Sequence, residues 1–438
     1  MLIDPGFGLK RDGFRRVRQL TRMHLTPRAV APCALAAFAL LAACDNSSEA
    51  DTSGTGGSAS ASTTSAAGTS TSTGATTSTS SAMSSSAGTG GGPPVVVNPC
   101  DGLPAVGTFE DITPPVVKAN GDRTFAIAAD PVNQGVLYVG TVQAGVWKTV
   151  DCGANWAHIT TGANGALVDS GMNWTMAVDP VEPNTVYTNS GYGSNGLFKS
   201  TNGGVDWAPI WPPAGQPELA AAFTYNFANV VAIDPSDHEH ILLTFHEECL
   251  PPHPKTCIAE TKDAGATWKL IDGNPVWNGN EGQVIFFLDD STTWLWGSQT
   301  NGFWRMTGSG ATSEAIPGMT TSHLQGSQLV RTKTGGYFVA GADGVWKSPN
   351  GTASSWSLIP DTGPIVGGLV LDDTTLYTST CYFGNFCMDP RFLKSTDDGQ
   401  TWTDLGGPAV DMGGTFAFDP GHGVLYSSGD VLLRIRVK

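Results

Sequence analysis

Ser395-Thr-Asp-Asp-Gly-Gln-Thr-Trp402 is the stretch whose reading decides the fold, because degraded copies of it recur from Thr149 onward. Thr149-Val-Asp-Cys-Gly-Ala-Asn-Trp156, Ser200-Thr-Asn-Gly-Gly-Val-Asp-Trp207 and Thr261-Lys-Asp-Ala-Gly-Ala-Thr-Trp268 keep its frame. Ser348-Pro-Asn-Gly-Thr-Ala-Ser-Ser-Trp356 keeps it with one extra residue. The shared pattern is Ser/Thr-x-Asp/Asn-x-Gly-x-Thr/Asn/Asp-Trp, set between two short apolar runs. Asx and Gly accept the special backbone angles of tight turns, and a carboxylate or amide caps free N–H groups. Each copy therefore predicts a β-hairpin turn with the closing Trp packed against it.

Working outward from each copy gives a unit of four short strands. In the first unit these are Phe125-Ala-Ile-Ala-Ala129, Val136-Leu-Tyr-Val139, Gly145-Val-Trp-Lys148 and Trp156-Ala-His-Ile159, with Asp130-Pro131 turning the first pair. The order repeats in 175–212, 228–271, 283–316, 327–359 and 367–405, although the fourth unit has lost the Trp motif and keeps only its strands. After Leu405 only three strands remain, Thr415-Phe-Ala-Phe418, Val424-Leu-Tyr-Ser427 and Val431-Leu-Leu-Arg-Ile-Arg436. Ahead of the first unit, Gly107-Thr-Phe-Glu-Asp-Ile112 has the look of a spare fourth strand. Supplying it to the last unit closes a ring and removes an open sheet edge. The expected fold is all-β, a seven-bladed β-propeller over residues 100–438, closed by its N-terminal strand.

Composition agrees with an exported β domain. The chain has 438 residues and a net charge of −16, and only 14% of residues are charged. Residues 1–43 hold seven Lys/Arg and two Asp/Glu, which leaves 16 basic against 37 acidic groups beyond them. So acidic a surface disfavours nucleic acid and anionic lipid as partners. The apolar run Ala29–Ala43, preceded by Arg28, is too short to stay across a bilayer and reads as the end of a signal peptide over 1–43. Its close, Leu41-Ala42-Ala43-Cys44, resembles the lipobox of bacterial lipoproteins. That resemblance implies a diacylated Cys44 as the first mature residue, attached to the bacterial cell envelope by its lipid alone, in a leaflet left open. The polar, basic stretch ahead of Met23 makes Met23 the expected start. From Asn46 to about Pro94 the chain is almost wholly Ser, Thr, Gly and Ala, and 44–99 reads as a disordered tether with a reach of roughly 40 Å.

The repeats resemble the BNR or Asp-box family of sialidases, sortilin-type receptors, xyloglucanase-type glycoside hydrolases and photosystem assembly factors. Ala177-Val-Asp-Pro-Val-Glu-Pro-Asn-Thr-Val-Tyr187 followed by Gly196-Leu-Phe-Lys-Ser-Thr-Asn-Gly-Gly204 looks especially like the secreted bacterial members. The resemblance covers residues 107–438; it implies the propeller and leaves the activity open, because the box lies at the rim. Sialidases of the family use three arginines on the binding face. Here Arg305 and Arg434 fall in third strands and Arg331 beyond a first strand, so sialidase activity is disfavoured. Xyloglucanase-type enzymes set one carboxylate from each of two propellers across a cleft, which a single propeller does not reproduce.

With Cys33 in the signal and Cys44 expected to carry lipid, six cysteines remain. Proximity pairs Cys249 with Cys257 and Cys381 with Cys387, leaving Cys100 with Cys152. His246-Glu-Glu-Cys249 lacks a second His at zincin spacing, so no metal is expected, and no cofactor motif is present. In a propeller the second-to-third and fourth-to-first connections share one face, and the Trp motifs and Asp-Pro turns share the other. His238 and His240 fall on the motif face and are expected to be solvated. The loop face collects the candidates for ligand binding: Arg123, Asn173, Trp174, Tyr192, Tyr225, Asn226, Tyr382, Asp389 and Arg391. The candidates for chemistry there are His246, Glu247, Glu281 and His323. Long, disulfide-stapled loops in the third and sixth units suit a built site, and aromatic, amide and carboxylate groups suit sugar recognition. Two readings follow: a tethered monomeric propeller that binds a glycan or an envelope protein, and a glycan-cleaving enzyme. The enzyme would be a glycosidase pairing Glu247 or Asp389 with Glu281. Alternatively it would be a lyase with His246 or His323 as base, Tyr192 or Tyr382 as acid and Arg123 neutralising a uronate.

Overall fold

The computed structural model describes residues 100–223, 226–272, 277, 281–319, 328–341, 343–360, 362, 368–379, 391–408 and 415–438. The chain parts into two units, Met1–Thr89 and Gly90–Lys438, and every described residue lies in the second. That unit is seven antiparallel four-stranded sheets. Blades 1 to 6 occupy 124–158, 176–211, 228–271, 282–315, 329–358 and 369–404, each with its strands in chain order. Blade 7 takes three strands, Phe416–Asp419, Val424–Ser427 and Leu433–Arg436, and its fourth from Phe109–Asp111 at the other end of the chain. Phe109 pairs with Ile435 and Asp111 with Leu433, so the expected closure forms. The seven-bladed propeller is thus present as read.

The closing seam is clamped on several sides. Cys100 and Cys152 form a disulfide across it with Cα atoms 5.4 Å apart. Arg434 Nε bonds Glu110 Oε2 at 2.7 Å while its Nη1 donates to the Cys152 carbonyl at 2.8 Å. Cys249 and Cys257 are also joined; the expected Cys381–Cys387 pair lies outside the described residues, as does Cys44. Cys100, Cys152, Asp419 and His422 cluster closely enough to hold a metal, but both sulfurs are committed to the disulfide.

The Trp motifs turn the hairpins by one repeated bonding scheme. Asp397 Oδ1 accepts the Ser395 hydroxyl at 2.8 Å and the Thr401 N–H at 2.9 Å, and Oδ2 accepts the Thr401 hydroxyl at 2.6 Å. Asp263 does the same with Thr261 and Thr267, and Asp151 with Thr149 and Asn155. The left-handed backbone is carried by the residue after the Asx and by the Gly, not by the Asx itself. Those pairs are Cys152 and Gly153, Gly203 and Gly204, Ala264 and Gly265, and Asp398 and Gly399. The Asx must keep ordinary angles to aim its carboxylate back over the turn.

The Gly has a second reason to be Gly. A Cβ on Gly204 would meet Ile159 Cδ1 at 2.2 Å, one on Gly399 would meet Ile359 Cδ1 at 2.7 Å, and one on Gly153 would meet Ile112 Cδ1 at 2.5 Å. In these three blades the Ile that ends a fourth strand seats on the turn glycine of the next blade. Blade 4 has lost the Asp-box, yet Gly310 still stands 2.5 Å, by the same measure, from Ile271 of blade 3. The inter-blade contact outlives the hydrogen-bonding motif.

Two expectations for the motif face change. His238 is half-buried against Asp179 Oδ2 at 2.8 Å. His240 is buried, with Nδ1 3.1 Å from Asp234 Oδ2 and Nε2 3.0 Å from Glu260 Oε1. The second strand of blade 3 begins at Asp237 rather than Ile241, so His240 is a strand residue turned into the layer that holds Phe287. Short helices, not foreseen, fill three fourth-to-first connections: Pro115–Ala119, Gly165–Val168 and Pro217–Ala222. Among the described residues no helix is long and apolar enough to cross a membrane. Down the axis runs a cavity of about 590 Å³ lined by inner-strand residues such as Ala126, Val231, Ile285 and Thr415.

Candidate functional site

On the loop face, chain ends from three adjacent blades meet around His246. His246 directly follows the second strand of blade 3, Asp237–Phe245, and its N–H bonds the Phe227 carbonyl at 3.1 Å. Its ring stacks on Phe227 at 4.6 Å and lies 5.1 Å from Trp174, the residue that leads into blade 2. Above them comes Tyr192 from the second-to-third connection of blade 2, its hydroxyl 3.2 Å from His246 Nε2. The Tyr192 ring meets Phe227 at 5.0 Å and Trp174 at 5.9 Å, yet the residue stays 66% exposed.

The loop can approach this closely because Tyr192 stands between Gly191 and Gly193. A Cβ on Gly191 would lie 2.5 Å from Trp174 Cδ1 and 2.7 Å from Phe227 Cε2. Tyr192 itself sits at φ 59°, a left-handed conformation that costs a non-glycine residue about 1 kcal/mol. The surrounding contacts hold it there.

Two carboxyl groups flank the imidazole. Glu247 Oε1 lies 3.3 Å from His246 Nδ1, within ion-pair reach but off the line of a hydrogen bond. Glu281, just ahead of the first strand of blade 4, puts Oε1 3.6 Å from Nε2. Burial, and then the charge of Glu247, push the Glu281 carboxyl up to about 7. Burial draws the His246 imidazole below its ordinary value, against the pull of Glu247. Near neutral pH the site thus holds an uncharged imidazole beside a carboxyl poised between acid and base. Burial and both glutamates raise the Tyr192 hydroxyl as well, so it stays a phenol.

The sequence-predicted residues divide into three groups. His246, Glu247, Glu281, Tyr192 and Trp174 are brought together. Asn226 is beside them as a clamp: its Oδ1 accepts the Glu247 N–H at 2.7 Å and its Nδ2 donates to the Glu247 carbonyl at 2.6 Å. Asn173, expected on the surface, is fully enclosed and spends its Nδ2 on the Asn189 carbonyl at 2.7 Å. Its position just inside the rim, ahead of an inner strand, explains the difference. Arg123 pairs with Asp430 at 3.5 Å where blades 7 and 1 join, and Arg391 is partly buried and engaged in blade 6. Tyr225, His323, Tyr382 and Asp389 lie outside the described residues.

Sequence reasoning missed Phe227 and Gln283. Phe227 reads as any core aromatic; its role comes from the imidazole stacked on it. Gln283 is fully buried and donates from Nε2 to Glu281 Oε2. Its signal was a polar residue at the head of an apolar strand.

No family model matches the chain. It is 22% identical over 313 residues to a xyloglucanase of Hypocrea jecorina (strain QM6a), a match covering 64% of this chain and 32% of that protein. A GH74 enzyme of Niastella koreensis superposes with a TM-score of 0.55 at 19% identity, over 74% of this chain and 53% of that one. YCF48 bound to a D1 peptide superposes at 0.52 with 14% identity, over 77% of this chain and 97% of that one. The chain therefore spans about a third of the curated relative and about half of the solved GH74 enzyme. These likenesses establish a seven-bladed propeller whose neighbours include GH74 xyloglucanases.

Proposed function

We propose that the loop face recognises a glycan and that Glu281 and Glu247 act on it as acid and base. The observation that carries this is the environment of the two carboxyls on either side of His246. Glu281 is mostly buried and keeps its proton into the neutral range, whereas Glu247 is half exposed and supplies the charge that keeps it so. Carboxyl pairs placed in such unlike surroundings are the usual mark of acid–base division. In hydrolysis the Glu281 proton goes to the glycosidic oxygen as its C–O bond breaks. Glu247 takes a proton from the attacking water, so that one water is consumed per bond. Tyr192 offers an exposed ring for the apolar face of a sugar.

Charge narrows the ligand. Of the 16 cations beyond residue 43, only Lys118, Arg123, Lys255 and Arg391 fall on loop-face connections, and the segments outside the described residues contain none. Lys118 is 2.6 Å from Asp111, Lys255 2.6 Å from Glu248, and Arg123 is with Asp430. A uronate, sulfate or sialate would meet carboxylates without a free cation, which favours an uncharged glycan and weighs against the lyase reading.

A second reading is recognition of a glycan or envelope protein without turnover, for which the 66% exposed Tyr192 offers a stacking surface that needs no chemistry. Incubating the full-length protein with neutral and anionic polysaccharides separates the two. New reducing ends that vanish in Glu281→Gln support the enzyme; binding without product supports the second reading; failure to bind any glycan sinks both glycan readings and leaves the protein partner. In either case the propeller is held to the envelope through Cys44 and residues 44–99. Loss of acyl label and membrane association in Cys44→Ser is the expected result, and an unlabelled wild-type Cys44 would overturn it.

A further inference from the structure

Gln283 occupies a place in blade 4 that ordinary strand pairing does not explain. The first strand, Gly282–Phe287, pairs Gly282 with Ser298 and Val284 with Gly297, so Gln283 is the extra residue of a β-bulge. Bulges of this kind re-aim a side chain that the regular pleat would send elsewhere. Here the amide turns back toward Glu281, two residues earlier, and donates from Nε2 to Oε2. Gln283 is fully buried, and its Oε1 has no hydrogen-bond partner.

The bulge is fixed from the neighbouring blade. Asn229, also fully buried, donates from Nδ2 to the Gly282 carbonyl at 2.9 Å. One blade back, Asn189 makes the same kind of bond to the Ala228 carbonyl at 2.5 Å. A line of buried amides thus links blades 2, 3 and 4 beneath the site and ends at Gln283.

We propose that Gln283 is a positioning residue that holds Glu281 Oε2 in both protonation states, leaving Oε1 turned toward His246. An amide suits that task as few side chains do. Its N–H₂ donates to a carboxylate, and after a half-turn of the amide its carbonyl accepts the O–H of a carboxylic acid. A lysine or arginine would fix Glu281 as the anion, and an aliphatic residue would leave it loose. The unpartnered Oε1 is the acceptor that the protonated form of Glu281 needs. Among the described residues, the groups facing Glu281 are His246 and Glu247 from blade 3, Tyr192 from blade 2, and Gln283 on its own strand. Of these, Gln283 is the one whose bond to Glu281 favours the anion.

The role of Gln283 as an aid to catalysis rests on the glycan-cleaving reading; its hold on Glu281 does not. The test is therefore a direct titration of the Glu281 side-chain carboxyl by carbon NMR in the full-length protein, assigned with Glu281→Gln. In Gln283→Leu the midpoint should rise by about one pH unit from its wild-type value near 7, because the charge-assisted bond lost by the carboxylate is stronger than the neutral one lost by the acid. Gln283→Glu should instead give two separated steps shared by a carboxyl pair, and it keeps the test open should the Leu variant not fold. An unmoved midpoint in Gln283→Leu, or a single unshifted step in Gln283→Glu, overturns the proposal and leaves the glycan reading standing. A shifted midpoint in a protein that binds no polysaccharide has the opposite meaning: the amide holds Glu281, and the glycan reading fails.

Discussion

The motif face and the loop face use carboxyl groups in opposite ways. Asp397 is surrounded by donors, and the Thr401 hydroxyl and N–H, with Ser395, hold its carboxyl down at about 2. Glu281 accepts a side-chain bond from Gln283, lies in a mostly buried pocket beside Glu247, and is pushed up to about 7. Both are carboxyls near a chain reversal, yet one is spent on shape and the other is left available. Burial is the first cause at Glu281 and hydrogen bonding the first at Asp397, so the two carboxyls differ both in depth and in the donors around them. Burial alone would raise Asp151 too, but the bonds from Asn155 and Thr149 outweigh it.

If that division holds, damage to the motif face and its seam should lower stability and spare the chemistry across the ring. The largest effect expected is from removing the Cys100–Cys152 disulfide by Cys100→Ser with Cys152→Ser. It closes a stretch with a sequence separation of 52, so its loss should lower unfolding free energy by about 4 kcal/mol in denaturant titrations. The Glu281 midpoint should not move. A shift would mean that the seam and the site are one cooperative unit.

Next in size is the pH dependence of stability, where the two faces differ in sign. The native carboxyl of Glu281 lies above its unfolded value, so between about pH 4.5 and 7 the native state binds the extra proton and stability falls as pH rises. The contribution amounts to about 3 kcal/mol across that window, and Glu281→Gln should flatten it. Asp151, Asp263 and Asp397 lie below their ordinary values, so what they contribute is present at neutral pH and lost as pH falls through the acid range. Unfolding midpoints at a series of pH values for wild type and Glu281→Gln measure both limbs. Because the lowered His246 imidazole contributes the opposite slope, the difference between the two curves is decisive: wild type and Glu281→Gln running parallel from pH 5 to 8 would mean Glu281 is not held protonated.

The blades were legible because their signal is local and repeated. A Trp motif, an Asp-Pro turn and four apolar runs each lie within a few residues, and the closing strand showed itself as one fourth strand too many at the start. The site was legible only as a face. Topology placed His246, Glu247, Glu281, Tyr192 and Trp174 on it, but nothing local tells that Asn173 turns inward while Tyr192 turns out. Gln283 stood out as a polar residue heading an apolar strand, but its direction was not legible, because a bulge that depends on pairing across the sheet decides where it points. His240 went wrong for a related reason, since the strand began four residues earlier than its apolar run.

Smaller, but more diagnostic of the motif face, is Asp151→Ala. It removes the acceptor for the Thr149 hydroxyl, the Asn155 N–H and the Asn155 side-chain amide. A loss of about 1 kcal/mol is expected, in the range of helix and turn caps, with ligand affinity unchanged. Gly204→Ala should be worse than the missing cap, by colliding with Ile159 from a left-handed backbone.

The smallest change in stability should accompany the largest local change in binding, at Tyr192. The residue is 66% exposed, so Tyr192→Ala should alter unfolding free energy by only about 0.5 kcal/mol while weakening glycan binding about tenfold. Tyr192→Gly sharpens the point. Glycine accepts φ 59° without strain, so this variant should be at least as stable as Tyr192→Ala, despite glycine's greater freedom in the unfolded chain. If the alanine variant proves the more stable, the left-handed backbone carries no strain. If both lose several kcal/mol, Tyr192 is a structural plug on Phe227 and Trp174, and the loop face has been built for shape like the face beneath it.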